Sequence, residues 1–70
     1  MTDTLKSLRV SKGLTQTELA KKVGVSSPAV VSQWEVGRYN PTPTLIPKVA
    51  EALGVTPKYL FFILNNRKTI

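Results

Sequence analysis

The sequence predicts an all-α domain built from five short helices. Hydroxyl and proline residues that favour helix starts recur ahead of apolar residues spaced three and four positions apart, which is the helical period. Glycines follow four of the candidate helices, where a left-handed residue ends a helix. Seventy residues form one domain with a limited core, so we expect tight helix packing or a second copy to stabilise it.

Charge favours a nucleic-acid partner. Ten lysines and arginines against four acidic residues leave a formal net charge of +6, which favours an anionic partner. Nucleic acid is the first candidate and an acidic membrane surface the second, while a charge that serves only solubility is the plain alternative. The basic residues do not line one side of an amphipathic helix, which disfavours the membrane surface.

The residue types that are missing exclude several function classes. Cysteine and histidine are absent, so disulfides, thiolate metal sites and the commonest general base are excluded. The four acidic residues are scattered, and we therefore predict no enzyme activity, no metal and no cofactor. No apolar run approaches the roughly 20 residues of a membrane span, and the N-terminus lacks the apolar segment of a signal peptide, which predicts a cytosolic protein.

The first two helices are predicted from their caps. Thr2 or Asp3 is expected to cap the first helix, and Gly13 to end it. The segment TQTE is a capping box, in which the Thr15 hydroxyl accepts from the amide of Glu18 while the Glu18 carboxylate accepts from the amide of Thr15. A second helix therefore begins there. The residues predicted to point inward are Leu5, Leu8, Leu19, Ala20 and Val23.

The third helix follows the second after a short turn. Gly24 ends the second helix, and Ser27 before Pro28 predicts a cap followed by proline at the first helical position. A helix from Pro28 to about Val36 has two distinct faces at 100° per residue. The inner face carries Val31, Trp34 and Glu35, and the outer face carries Ala29, Ser32, Gln33 and Val36.

One charged residue lies on an inward stripe. Arg9 is four residues after Leu5 and shares its face of the first helix. An arginine there needs a carboxylate partner, because an unpaired buried charge is costly. Glu35, on the inner side of the third helix, is the predicted partner in a structural ion pair.

A proline-rich loop, RYNPTPT, separates the third helix from the fourth. The fourth helix is predicted to start at a Thr44 cap, with Pro47 at the third position, where its missing N–H costs no intrahelical bond. Gly54 ends this helix. Its predicted inward residues are Leu45, Ile46, Val49, Ala50 and Leu53.

The fifth helix is predicted from Thr56 and Pro57 to about Leu64, and it is apolar on both sides. One stripe, of Leu60, Phe61 and Leu64, is expected to face the core, and a second, of Tyr59, Phe62 and Ile63, to form a homodimer contact. The alternatives are that this segment folds back under the tail or extends as a strand, since YLFFIL has β character. Residues 1–64 would then form the domain with its dimerisation helix, and residues 65–70 a basic tail.

Several spaced motifs together resemble one family. They are TQTELA at 15–20, the Gly24-Val25 turn, SQWEVG at 32–37, NPTP at 40–43 and IPKVAEALGV at 46–55. From about Leu5 to Leu60 the chain resembles the helix-turn-helix domain of the lambdoid phage repressor and Cro family, or xenobiotic response element family. The resemblance implies a compact five-helix, lambda-repressor-like DNA-binding fold with the helix-turn-helix at helices 2 and 3, in a short Cro-like protein of a phage or prophage.

The resemblance implies that the third helix enters the major groove, where its outward side chains contact base edges. Gln33 is the strongest predicted base reader, because its amide both donates to and accepts from adenine. Ser32 is expected to bond a base or a phosphate. Ala29 and Pro28 are expected to make apolar contact, for instance with a thymine methyl group.

The segment GVSSPAVVSQWE carries one more residue than the family pattern. The extra residue either lengthens the turn, with Ser27 as the cap, or bulges the helix between Val30 and Val31. In the first case Pro28 and Ala29 take the two early base-contact positions, and in the second case Ser27 and Pro28 take them. Gln33 keeps its position in both.

The resemblance also implies contacts with the DNA backbone. Gln16, at the start of the second helix beside Thr15, is expected to bind a phosphate and to contact the Gln33 side chain. Amides at the start of the Thr44 helix are expected to join these contacts. The loop after the third helix contributes Arg38, Tyr39 and Asn40.

The function expected from these residues is that of a sequence-specific DNA-binding transcriptional regulator. A repressor of Cro type, bound to double-stranded DNA as a homodimer on a pseudo-palindromic operator, fits best, and no small-molecule ligand is expected. The alternative is a protein-interaction module of the same fold, as in antitoxins and some coactivators, with the apolar fifth helix as its binding face.

Overall fold

The computed structural model describes residues 4–65, which form five α-helices and no β-strand within that range. The predicted all-α class is therefore confirmed. None of the helices in the described part is long and apolar enough to span a membrane. The helices are α1 (Leu5–Ser11), α2 (Gln16–Val23), α3 (Pro28–Glu35), α4 (Ile46–Leu53) and α5 (Pro57–Asn65).

The five helices pack around one small apolar core. α2 lies against both α3 and α4, α4 lies against α5, and α1 contacts α3 and α5. The inward residues predicted for α2 all lie in this core, as do most of those predicted for α4. The buried apolar residues are Leu5, Leu19, Ala20, Val23, Val31, Trp34, Val49, Ala50, Leu53, Leu60, Ile63 and Leu64.

The start of α1 differs from the prediction. Thr4 is the N-cap, because its hydroxyl accepts from the amide of Ser7 at 3.0 Å while the Ser7 hydroxyl accepts from the amide of Thr4 at 2.8 Å. The predicted caps Thr2 and Asp3 lie outside the described residues. The prediction was wrong because a capping box is usually sought with Glu or Gln at its third position, and here serine takes that role.

The start of α4 also differs. Thr44 is not the cap: it lies in a turn in which the carbonyl of Thr42 accepts from the amides of Leu45 and Ile46, at 2.9 and 3.0 Å. Regular helix begins at Ile46, with Leu45 in the cap position. Pro47 is the second helical residue, and because it has no N–H the bond that would continue the turn into the helix is missing. The prediction of a side-chain cap was wrong because the backbone carbonyl of Thr42 accepts from these amides instead.

α5 is a helix from Pro57 to Asn65, so the strand alternative is wrong for this chain. The Thr56 hydroxyl accepts from the amide of Tyr59 at 3.0 Å, as the cap signature predicts. The assignment of its two apolar stripes was wrong at two positions. Ile63 is buried in the core, only 5% exposed, whereas Phe61 is 60% exposed. Residues at i, i+1 and i+4, as predicted, and residues at i, i+3 and i+4, as observed, cover equally wide arcs of a helix, so periodicity does not separate them. The packing of α5 on its neighbours selects the second set.

Candidate nucleic-acid interface

The connection between α2 and α3 is a tight turn that begins at a glycine. The capping box at Thr15 and Glu18 is present, which confirms the predicted start of α2. α2 ends at Gly24, whose φ of +92° is readily adopted only by glycine. The carbonyl of Ala20 accepts from the amides of Gly24 and Val25, at 2.8 and 3.0 Å. These bonds fix the direction in which the chain leaves α2.

α3 is one α-helix without a bulge, from Pro28 to Glu35. Ser27 precedes it in an extended conformation, with φ −158° and ψ 160°, and its hydroxyl makes no capping hydrogen bond. The extra residue of this segment therefore lengthens the turn, and the alternative of a bulge between Val30 and Val31 is wrong. Proline at the first helical position, with its φ already helical, explains why the helix begins there without a side-chain cap.

The two faces of α3 are those that the sequence predicts. Val31 and Trp34 are buried against the other helices, and this packing holds α3 in place. On the opposite face Pro28, Ala29 and Val36 are exposed. The face also carries Ser27, Ser32 and Gln33, which are half-buried. The outer face is thus a strip of small and polar residues along one rigid helix.

The Gln33 side chain has an unusual environment. Its carbonyl oxygen Oε1 is buried, and it accepts a hydrogen bond from none of the residues between 4 and 65. Gln33 borders an open apolar cleft that is also lined by Ala29, Val30, Trp34 and Tyr39. The sequence predicts an amide that points outward, whereas the carbonyl oxygen of this amide is buried with no donor among residues 4–65. Val30, on the flank of α3, was not predicted at this surface, although its place next to Ala29 could have indicated it.

A polar cluster joins the start of α2 to the end of α3. Arg9 donates through Nε to Glu35 Oε2 at 2.5 Å and through a second nitrogen to the carbonyl of Leu14 at 2.7 Å. The side chains of Arg9 and Glu35 are 10% and 6% exposed, so the predicted structural ion pair is confirmed as a largely buried one. Gln16 donates through Nε2 to Glu35 Oε1 at 2.9 Å. Gln16 therefore pairs with Glu35, and the predicted contact with Gln33 is wrong.

The loop after α3 is held by α3 itself. Gly37 has a φ of +85°, and after it the amides of Arg38 and Tyr39 both donate to the carbonyl of Gln33, at 3.0 and 3.4 Å. The side chains of Arg38, Tyr39 and Asn40 are exposed. The backbone of Gln33 thus fixes the loop predicted to contact phosphates, while the side chain of Gln33 shares a cleft with Tyr39.

The remaining predicted backbone contacts lie at two helix starts. Thr15 is exposed and Gln16 half-buried at the start of α2. Thr44 is exposed, but it lies before α4, and the amides of Leu45 and Ile46 already donate to Thr42. The start of α4 therefore offers a DNA phosphate fewer amides than the sequence predicts.

A second exposed surface lies on α5, and we call Tyr59 and Phe62 the aromatic surface. Phe62 is 55% exposed, and the rings of Tyr59 and Phe62 stack with centroids 6.5 Å apart. Ile63, predicted to share this surface, is buried in the core instead. Phe61, which the sequence assigns to the core stripe, is instead exposed on another side of α5, where it borders a cleft with Pro41 and Ile46.

Comparison with known proteins agrees with the fold and with this arrangement of helices. Residues 5–60 match the helix-turn-helix family. The chain belongs to that family, and its resemblance to repressor and Cro domains is confirmed. The match begins with α1 and ends within α5, so it includes every helix that positions the outer face of α3.

Three similar proteins come from archaea, and each is described as an uncharacterised HTH-type transcriptional regulator. The chain is 42% identical over 57 residues to one from Methanothermobacter thermautotrophicus, covering 81% of each protein. It is 39% identical over 61 residues to one from Methanocaldococcus jannaschii, covering 87% of this chain and 91% of the relative. It is 40% identical over 57 residues to one from Archaeoglobus fulgidus, covering 81% and 80%.

Proposed function

We propose that this protein is a transcriptional regulator that recognises a specific DNA site through the outer face of α3. The observation that carries the proposal is that α3 is unbroken and anchored by buried Val31 and Trp34, while its opposite face is accessible and free of bulky side chains. An α-helix presented in this way fits the major groove of DNA. The net charge of +6 and the descriptions of the three archaeal relatives support the same function.

Gln33 is the proposed base reader. A glutamine amide bonds adenine by donating to N7 and accepting from the N6 amine. Because Oε1 of Gln33 is buried with no donor among residues 4–65, this side chain turns toward the duplex so that the oxygen accepts from adenine. Ser32 is the proposed neighbouring polar contact. Pro28 and Ala29, exposed at the start of α3, are suited to apolar contact with a thymine methyl group.

The proposed backbone contacts flank α3 on two sides. Thr15 and Gln16 lie at the start of α2, and Arg38, Tyr39 and Asn40 lie in the loop after α3. Such contacts set the position of the protein on the duplex and carry no sequence information themselves. Arg38 supplies the cation of the loop, which makes its contribution dependent on salt.

The proposed regulator acts as a homodimer on a pseudo-palindromic site, with one α3 in each half-site. The aromatic surface supports this proposal, because its two stacked rings are large apolar groups left exposed on a small protein. Occupancy of such a site where it overlaps a promoter would block polymerase, as in repressors of the Cro type. The three relatives come from archaea and do not themselves support the predicted phage or prophage origin.

Selection of bound sites from a random pool of duplex DNA tests the function most directly. We expect enrichment of one motif made of two inverted half-sites, each with adenine-thymine pairs where Gln33 lies. Enrichment of a single half-site would support recognition of DNA by α3 and contradict binding as a homodimer. Recovery of no motif, even at low salt where non-specific binding is strongest, would reject the proposed function.

The dimer is tested by Phe62→Asp, because a carboxylate on the aromatic surface opposes burial of that surface against a second copy. We expect wild-type protein to sediment as a dimer and this variant as a folded monomer. The matched control is Val10→Asp, which places the same charge on another exposed apolar residue, in α1. A wild-type protein that is monomeric at high concentration would favour the alternative of an interaction module with a different partner.

A further inference from the structure

Gln16 is a predicted backbone-contact residue whose side chain is bonded to a largely buried carboxylate. Its Nε2 donates to Glu35 Oε1 at 2.9 Å, and Glu35 is itself held by Arg9. The amide of a glutamine carries two N–H donors and one carbonyl acceptor. Glu35 takes one donor, so the second N–H of Gln16 is available for another acceptor.

We propose that Glu35 is a positioning residue that aims the second N–H of Gln16 at a DNA phosphate, with Arg9 acting through Glu35. This inference rests on the proposed function, because it requires DNA to lie against the start of α2. A side chain ordered in advance loses less conformational entropy on binding than one that is free in solution. The phosphate contact is thereby prepared before DNA arrives.

The ion pair suits this role in two respects. The Arg9 guanidinium neutralises the Glu35 carboxylate, which would otherwise repel a phosphate close to Gln16. Arg9 also donates to the carbonyl of Leu14, two residues before Gln16, so the same guanidinium holds the backbone from which α2 starts. The Gln16 side chain and the backbone just before α2 are thus both hydrogen-bonded to the ion pair of Arg9 and Glu35.

The test replaces the ion pair without leaving a buried charge. Arg9→Met combined with Glu35→Met puts two apolar side chains of similar length in its place, an exchange that proteins often tolerate. The acceptor for Gln16 is then gone. We expect this double variant to remain folded and to bind every duplex sequence more weakly, by no more than the two- to tenfold loss of about one hydrogen bond that is expected for Gln16→Ala.

The triple variant that adds Gln16→Ala separates positioning from a purely structural role. If Glu35 acts only through Gln16, replacing the ion pair has no further effect once Gln16 is alanine, so the triple variant binds DNA as tightly as Gln16→Ala. Two outcomes would overturn the proposal: a folded double variant that binds as tightly as wild type, or a triple variant whose loss is the product of the separate losses. A wild-type protein that binds no duplex would instead reject the proposed function.

Nuclear magnetic resonance on the wild-type protein tests the same idea if the double variant does not fold. In the absence of DNA, we expect the Gln16 side-chain amide to be as ordered as the protein backbone, with an order parameter of about 0.85. Addition of a 20-base-pair duplex should then shift one of its two proton signals more than the other. An order parameter below about 0.6 in the free protein, or no shift with bound DNA, would overturn the positioning role.

Discussion

Two glutamines on the proposed DNA-binding surface have opposite environments. Gln16 donates to Glu35 and is fixed by a buried ion pair, whereas the carbonyl oxygen of Gln33 is buried and accepts no hydrogen bond within residues 4–65. The difference matches their proposed targets. A phosphate is present at every step of a duplex, so its ligand can be fixed in advance. A base reader must respond to one base and fail with the others.

The environment of Gln33 contributes to this discrimination. A buried carbonyl without a donor costs about 1–3 kcal/mol. Adenine supplies the missing donor through its N6 amine, while a base pair without a donor at that place leaves the carbonyl unpaired. The incorrect site therefore leaves this carbonyl unpaired in the complex, which separates its affinity from that of the correct site. Variants of Gln16 and of Gln33 distinguish the effects of these two environments.

The largest effect is expected from removal of the group that fixes Gln16. Glu35→Ala leaves Arg9 as an uncompensated, largely buried charge and should lower the free energy of unfolding by about 3–5 kcal/mol. Urea denaturation measures this change. Glu51→Ala, at an exposed acidic residue of α4, is the control and should change stability by less than about 0.5 kcal/mol. A loss as small as that of the control would mean that Arg9 does not depend on Glu35.

The second effect concerns the base reader. Gln33→Ala should weaken binding to the selected site by about 1–3 kcal/mol and leave binding to unrelated DNA nearly unchanged. Gln16→Ala is the matched comparison, and it should weaken binding to both DNAs alike. Competition titrations with the two duplexes give both affinities. An equal loss on both duplexes with Gln33→Ala would remove this residue as a base reader.

A third effect tests a contact with the DNA backbone that is made by an exposed side chain. Arg38 is exposed in the loop after α3, and Arg38→Ala should reduce the slope of log affinity against log salt by roughly one unit on every duplex. Binding measured between low and moderate salt provides the slope. Lys48→Ala, which removes a cation from α4 outside the proposed contacts, should leave the slope unaltered. The phosphate role of Arg38 fails if both variants behave alike.

The smallest effect is on stability and compares the two glutamines directly. Gln33→Met removes an unpaired buried carbonyl at constant length and should raise the free energy of unfolding by up to about 1 kcal/mol. Gln16→Met removes the hydrogen bond to Glu35 and should lower the free energy of unfolding by about 0.5–1.5 kcal/mol. Thermal or urea denaturation gives both values. A decrease for Gln33→Met would show that its carbonyl is satisfied in solution.

The helix-turn-helix was predictable in detail because local signals agree there. The capping box at Thr15, the left-handed Gly24 and the proline at position 28 each act over a few residues, and all three are present. The pairing of Arg9 with Glu35 was also predictable, because a buried cation requires an acid and the inner face of α3 carries one. The contact residues proposed on α3 follow from the same helical period.

Two of the errors concern features that depend on neighbours far along the chain, and the one at the start of α4 is local. Phe61 and Ile63 exchange places relative to the prediction because the position of α5 on the core decides which flank of its apolar side is covered. The start of α4 depends on the carbonyl of Thr42, which no side-chain pattern indicates. Gln16 contacts Glu35 because α2 and α3 cross at the buried ion pair.

The order of amino acids alone determined the number of helices, most of their ends and the two faces of α3, because capping and periodicity act between residues a few positions apart. Tertiary packing alone decided which aromatic residues of α5 stay exposed, and among residues 4–65 it left Gln33 Oε1 without a donor while Gln16 gained a partner. Those features depend on where helices cross, and a crossing joins residues that are distant in the chain.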